Sequence, residues 1–286
     1  MISLQSITLS NILDNINISI PEGGYIGIAG PNGSGKSTLA KIIKGIQDPS
    51  EGDVYIDGEI RLRGRVARDI GLVLANPENQ LVSSSIEEDA AFGLENLNLP
   101  SSEIAKRTEE ALKWGGLWDL KDVPAHHLSA GQQQMLVLAG VMAMQPKCLI
   151  IDEATSMIDP AGKAVVLEAV RRMNKDAGVA IVHISHDLDE LIDAHTIYIM
   201  DSGRIVWEGA PSKLHRQGPL LSGLGMELPQ LLKLKSLMIN NGYAINENAV
   251  TMEEMADEIV RVVNRPPSPA ALCKKGTSRK GPLHPA

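Results

Sequence analysis

Isoleucine and leucine alternate with polar residues at the start of the chain, at Ile2, Leu4, Ile7 and Leu9 and again at Ile16, Ile18 and Ile20 before Pro21. A period of two in aliphatic residues predicts two half-buried strands. The unbroken apolar run Tyr25–Ala29 predicts a third, buried on both faces. A hairpin is expected over 52–61, around Asp57-Gly58. Ile70–Leu74, Cys148–Asp152, 179–184 and 197–200 repeat the buried-strand pattern. Elsewhere the spacing turns helical. Leu39, Ile42 and Ile43 mark a helix that Gly45 stops, 161–173 marks another, and 76–140 is helical with breaks at Pro77, Pro100, Gly115-Gly116 and Pro124. Strands alternating with helices predict an α/β fold with parallel strands at its centre. The early hairpins add an antiparallel β flank, and the helical insert a lobe of its own.

After Gly209 the pattern changes. Leu228, Leu231, Leu232 and Leu237 share one side of a helix. A second helix starts at Thr251, with Glu254 three residues on as a capping box and an apolar stripe of Met252, Met255, Ile259 and Val262 or Val263. The expected division is therefore a main domain over 1–210 with 76–140 inserted, a small helical domain over 211–264, and a disordered tail over 265–286. The helical domain either packs on the main one or pairs with a partner subunit. Lys274, Lys275, Arg279 and Lys280 in the tail read as solvated.

Composition narrows the classes. A chain of 286 residues can bury a sizeable core, and a net charge of −8 argues against nucleic acid as a partner. Two cysteines, Cys148 and Cys273, make no disulfide framework and suit a reducing cytosol. The first ten residues lack the basic start of a signal peptide, and the apolar run 135–144 is too short to span a bilayer.

The chemistry sits where strands end. Gly30-Pro31-Asn32-Gly33-Ser34-Gly35-Lys36-Ser37-Thr38 lies between the third strand and the first helix and fits G-x-x-x-x-G-K-[ST]. In such a loop glycines turn backbone N–H groups inward around phosphates, and the following helix aims its positive end at them. Lys36 adds a full charge, and Ser37 is placed to ligate Mg²⁺. The strand Cys148–Asp152 ends in two acids: Asp152 can hold Mg²⁺ through water, and Glu153 can polarise an attacking water. Leu128-Ser129-Ala130-Gly131-Gln132 opens a helix at an anion-favouring end, and His186 follows a buried strand. His183, inside that strand, reads as packing.

Together these motifs resemble the ATPase subunits of ABC transporters over roughly residues 2–210. The resemblance implies a P-loop NTPase core, ATP and Mg²⁺ as cofactors, and two ATPase domains sandwiching two ATP molecules. It implies that Ser129, Gly131 and Gln132 act on nucleotide held by the other subunit. His186 is then a switch histidine at the γ-phosphate, and the loop ending at Asp159 crosses the seam between subunits. Ala75-Asn76-Pro77-Glu78-Asn79-Gln80, Glu87 to Asn96, Asp152 to Pro160 and the segment from Met226-Glu227-Leu228-Pro229 are similar to energy-coupling-factor transporters. These importers take up vitamins or transition-metal ions. The implied partners are a second ATPase subunit (itself or a paralogue), a transmembrane coupling protein and a substrate-binding membrane protein, with this chain peripheral on the cytoplasmic face of the membrane. Residues 76–95 would receive coupling helices, with Glu87, Glu88 and Asp89 as candidates to pair with a basic residue there.

Three positions depart from the family pattern. Ala75 stands where the family usually has a glutamine that completes the Mg²⁺ shell, leaving Gln80 as a substitute only by a different loop path. Leu9-Ser10-Asn11-Ile12 offers no aromatic ring to stack on adenine, a contact worth about 1–3 kcal/mol in nucleic-acid sites. Met135 replaces a common arginine. With Lys36, Ser37, Asp152, Glu153 and His186 present, the leading expectation is a working but weaker transport ATPase. The alternatives are a nucleotide-binding regulatory subunit beside a more active paralogue, and a soluble ABC ATPase of DNA repair, translation or cluster assembly. The last usually carries a second ATPase domain, a long coiled coil or a different insert, none of which is visible in the sequence.

Overall fold

The alternating isoleucines form two strands, β1 (Ile2–Leu9) and β2 (Leu13–Ile20), paired antiparallel with Ile2 opposite Ile20 and Leu4 opposite Ile18. The computed structural model describes residues 1–263. β3 (Tyr25–Ala29) is buried at every position. It leads into α1 (Lys36–Lys44), which buries Leu39, Ala40, Ile42 and Ile43 and stops at Gly45. β4 (Glu51–Ile56) turns through Asp57-Gly58 into the two-residue β5 (Glu59–Ile60). After β6 (Ile70–Leu74) come the helices α2 (Ile86–Glu95), α3 (Ser101–Trp114) and α4 (Ala130–Ala143). The chain then runs through β7 (Cys148–Asp152), α5 (Pro160–Lys175), β8 (Ala180–Ile184), β9 (Thr196–Asp201) and β10 (Arg204–Gly209).

Two sheets result. The first, antiparallel, has the order β2-β1-β4-β5; the second has the order β10-β9-β3-β8-β7-β6, with β3, β6, β7, β8 and β9 parallel. One core joins them: Ile2, Ile16 and Ile18 from the first sheet pack with Ile28, Ile150 and Val182 from the second, and with Ile42 and Ile43 of α1. The parallel pairing has a direct consequence for chemistry. The carboxyl ends of β3, β7 and β8 open on one edge of the sheet, where α/β folds place their ligands.

The described residues separate into two units, Met1–Glu208 and the part from Gly209 onward. Within the second are α6 (Gly218–Gly223), α7 (Gln230–Asn240) and α8 (Met252–Val263). Thr251 and Glu254 exchange the two bonds of a capping box, as their spacing predicts. The leucine stripe on α7 needs correction. Leu237 is 57% exposed, whereas Lys235 is fully buried with its Nζ on the carbonyl oxygens of Glu247 and Ala249. Met252 is likewise exposed, and the small core forms from Ile245, Ala249, Met255 and Val262. The tail expected over 265–286, with Cys273 and its four basic residues, lies outside the described residues.

Candidate functional site

The loop between β3 and α1 has its glycines in conformations that only glycine adopts easily: φ is 149° at Gly30, 81° at Gly33 and 101° at Gly35. A Cβ at Gly30 would lie 2.2 Å from the Met200 carbonyl oxygen, so the loop is held close against β9. Gly35 is the N-cap of α1 and brings no side-chain cap, so the first N–H groups of the helix stay open to an anion. Lys36 is buried, with Nζ 2.8 Å from the Gly30 carbonyl and 3.1 Å from that of Pro31. Burial lowers its pKa from the ordinary lysine value, opposed by the charges of Glu153 and Asp152.

β7 delivers the two acids. Asp152 is buried, and its carboxyl is pushed up chiefly by burial, with the neighbouring Ser37 hydroxyl pulling the other way. Its Oδ1 is buried without a hydrogen-bond partner. An unsatisfied carboxylate oxygen beside a serine hydroxyl suits a hard divalent cation. No group of three or more His, Cys, Asp or Glu side chains able to hold a metal occurs among the described residues. With Asp152 and Ser37 as the side chains offered, a cation here would keep room for phosphate and water, the coordination Mg²⁺ prefers.

Glu153 has the left-handed backbone conformation, φ 53°. Such strain costs on the order of 1–3 kcal/mol in a non-glycine residue and persists only when neighbours hold it. Here its N–H donates to the Ile184 carbonyl at 3.0 Å, and its own carbonyl accepts from the Ser156 hydroxyl at 2.8 Å. The side chain is aimed between the Lys36 ammonium and the His186 ring. Oε1 lies 3.9 Å from Lys36 Nζ, and Oε2 lies 3.7 Å from Nδ1 of the exposed His186. Lys36, Ser37, Asp152, Glu153 and His186 thus meet on one edge, from β3, α1, β7 and β8.

Ser129, Gly131, Gln132 and Asp159 are not brought to that place. They line a separate hollow with Ala161 and Gly162 at the start of α5. Ser129 and Gln132 form a reciprocal capping box on α4, at 3.3 and 3.0 Å. Asp159 caps α5, its Oδ1 accepting from the N–H groups of Ala161 and Gly162. Gly131 lets the two helices approach: a Cβ there would stand 3.2 Å from Gly162 Cα. Met135 is buried beside them.

The departures from the family pattern acquire physical detail. Gln80 is committed elsewhere: its Oε1 accepts the Leu74 N–H at 2.7 Å and its Nε2 donates to the Leu72 carbonyl at 3.0 Å, stapling the end of β6. The loop path that would let it replace a glutamine at Ala75 is therefore not the one adopted. A surface hollow beside Gly35, lined by Ile12, Leu13, Asp14 and Arg204 among others, holds no aromatic ring. The three acids of α2 are engaged locally: Glu87 with Lys121 at 3.6 Å, Glu88 with the Ser84 hydroxyl at 2.8 Å, and Asp89 with the N–H groups of Val82 and Ser83. His183 is more than packing. It stands between the Tyr25 hydroxyl at 2.9 Å and buried Glu190 at 3.3 Å. Glu190 escaped the sequence reading because an acid in a polar stretch after a strand looks like a solvated loop.

Residues 13–156 match the model of the ABC transporter family. The chain is 40% identical over 254 residues to a protein of Caldanaerobacter subterraneus subsp. tengcongensis called energy-coupling factor transporter ATP-binding protein EcfA1, covering 87% of this chain and 92% of that one. To the Bacillus subtilis protein of the same name it is 39% identical over 251 residues, covering 86% and 89%. Among solved structures it is similar to cbiO1 of Clostridium perfringens, described as part of the ABC transporter complex cbiONQ, with a TM-score of 0.71, 33% identity and coverage of 82% and 98%. A dimeric ATP-binding cassette in a post-hydrolysis state, bound to ADP and Pi, superposes with a TM-score of 0.65 at 25% identity, over 73% and 98%.

Proposed function

We infer function from one premise: the chain belongs to the ABC transporter family. It is an ATP-hydrolysing energy-coupling subunit of an energy-coupling-factor importer. The observation that carries the mechanism is the placement of Glu153 between Lys36 and His186, at the mouth of the phosphate loop.

In the proposed reaction the N–H groups of residues 33–38 and the Lys36 ammonium hold the β- and γ-phosphates. Ser37 and Asp152 hold Mg²⁺, which neutralises developing charge when bound. Glu153 takes a proton from water as the new oxygen–phosphorus bond forms and the bond to ADP breaks. His186 steadies the γ-phosphate and that water. Ser129 serves another subunit. Its oxygen accepts the Gln132 N–H, which leaves the hydroxyl proton free to donate to a γ-phosphate held by a second ATPase subunit, itself or a paralogue. Gly131, Gln132 and Asp159 shape that trans-acting surface.

The remaining partners are a transmembrane coupling protein, received at residues 76–95, and a membrane protein that binds a vitamin or a transition-metal ion. No helix among the described residues is long and apolar enough to cross a membrane. The proposed place is peripheral, on the cytoplasmic face of the membrane. A weakly hydrolysing regulatory subunit is not the favoured reading, since the relatives are ATP-binding subunits of such importers. The test is reconstitution of the chain with its membrane components in vesicles. ATP-dependent uptake of vitamin or metal ion that stops with Glu153→Gln supports the proposal; uptake that persists with Glu153→Gln contradicts it.

A further inference from the structure

Beneath the edge that carries Glu153 and His186 lies a buried polar cluster that no step of the proposed reaction uses. Its centre is Glu190, whose side chain is 4% exposed. Oε1 accepts the Thr155 hydroxyl at 2.7 Å and lies 2.6 Å from Lys163 Nζ, while Oε2 lies 3.3 Å from His183 Nε2. Lys163 also donates to Asp187 Oδ2 at 2.8 Å, and the Asp187 N–H donates to the Ser185 hydroxyl at 3.0 Å. On the far side of His183, the Tyr25 hydroxyl stands 2.9 Å from Nδ1.

Burial pushes the Glu190 carboxyl up, but His183, Lys163 and Thr155 facing it outweigh that and hold it at about 2. His183 thus lies between the Glu190 carboxylate, on its Nε2 side, and the Tyr25 hydroxyl, on its Nδ1 side. Glu190 Oε1 is held by Thr155 and Lys163, whereas Oε2 and His183 Nε2 face each other at 3.3 Å without a well-formed hydrogen bond.

Position, rather than stability, makes the cluster informative. A buried ion pair is seldom worth more than well-packed apolar side chains. Here the members sit at each end of the loops that carry the chemistry. Thr155 is two residues after Glu153, and Asp187 directly follows His186. One carboxylate therefore ties the two loops whose side chains meet 3.7 Å apart at the surface.

We propose that Glu190 is a positioning residue that locks the Glu153 loop to the His186 loop through Thr155 and Lys163. The proposal rests on the roles assigned above to Glu153 and His186, and its test separates the two. Displacing catalytic groups by about an ångström costs up to roughly a hundredfold in rate. The mild variant is Thr155→Val, which removes one donor at nearly constant volume; Thr155→Ser restores it, and Glu190→Gln removes the charge. Hydrogen exchange is followed in the purified chain, and kcat and KM for ATP in the assembled transporter. Thr155→Val should raise exchange across 185–191, in the other loop, and lower kcat about tenfold with KM within about twofold. Thr155→Ser should behave as wild type, and Glu190→Gln should loosen both loops together. Exchange altered only around Thr155, or uniformly along the chain, overturns the proposal, as does unchanged kcat in folded Thr155→Val and Glu190→Gln. If wild type hydrolyses no ATP yet the cross-loop effect is present, the linkage stands and the catalytic assignment falls.

Discussion

Two helix N-termini in this molecule look alike in sequence and are built in opposite ways. α1 begins after Gly35, which supplies no cap, and a buried lysine and two acids converge around its open N–H groups. α4 begins after Ser129, whose capping box with Gln132 closes the same kind of end from within. An open end with a lysine is an anion site in its own chain. A closed end offers an approaching phosphate little beyond a hydroxyl proton, so it suits a nucleotide that another surface already holds. The proposed division of labour between subunits would then follow from the caps.

The largest effect expected on the open side is from Glu153→Gln. It removes the proton acceptor while preserving size, and hydrolysis in the assembled transporter should fall at least about a hundredfold with ATP still bound. Steady-state turnover beside nucleotide binding checks this, and near-native turnover would reassign the base.

On the closed side, Ser129→Asp separates cap from donor. Aspartate caps as well as serine, so the melting temperature should hold. It puts a negative charge where a phosphate would arrive, so turnover should drop by roughly tenfold or more. A variant that keeps full turnover would remove the hydroxyl from the mechanism.

The cluster beneath the open side makes a pH prediction. Glu190 is held at about 2 against an ordinary 4.5. A depressed carboxylate contributes stability above its unfolded pKa and loses it as pH falls toward the folded one. Up to about 3 kcal/mol of stability present at pH 7 should therefore disappear between roughly pH 5 and 2. Urea unfolding of wild type and Glu190→Gln across that range should show the two converging at the acid end. A constant gap would mean that the charge does not matter.

The smallest effect is expected at Ala75. Its methyl group gives a cation no ligand, and Gln80 is occupied with β6. Ala75→Gln should raise turnover or tighten Mg²⁺-ATP by a few-fold, well short of the roughly 2.7–4 kcal/mol of a fully engaged donor, because the loop is not shaped around it. A Mg²⁺ titration of ATPase activity shows whether it does.

Local pattern carried much of the fold. β6 and β7 run over the stretches their apolar runs predict; β7 is buried at every position, and β6, at the sheet edge, has no fully exposed residue. β10 was not legible: only alternate residues of Arg204–Gly209 are partly covered, and the Ser202-Gly203 turn before it carried the better signal. Motif spacing identified candidate residues, but not their pairing. That Lys36 and His186 flank Glu153, that Glu153 has a left-handed backbone, and that Glu190 ties its loop to the next all depend on contacts between distant strands. On α7 Leu231 and Leu232 are covered as their spacing predicts, and Leu237 is not. A lysine whose ammonium finds two carbonyl oxygens is buried in place of a leucine.

The most direct measurement is the affinity of the isolated chain for ATP, in wild type, Lys36→Ala and Ser129→Ala, set beside turnover of the assembled transporter. Lys36→Ala should weaken ATP binding at least about tenfold, a loss of roughly 1.4 kcal/mol or more. Ser129→Ala should leave binding by the isolated chain within about twofold while still lowering turnover in the assembly. Equal loss of ATP affinity in both variants would place the two helix ends at one site within one chain, and would contradict the account.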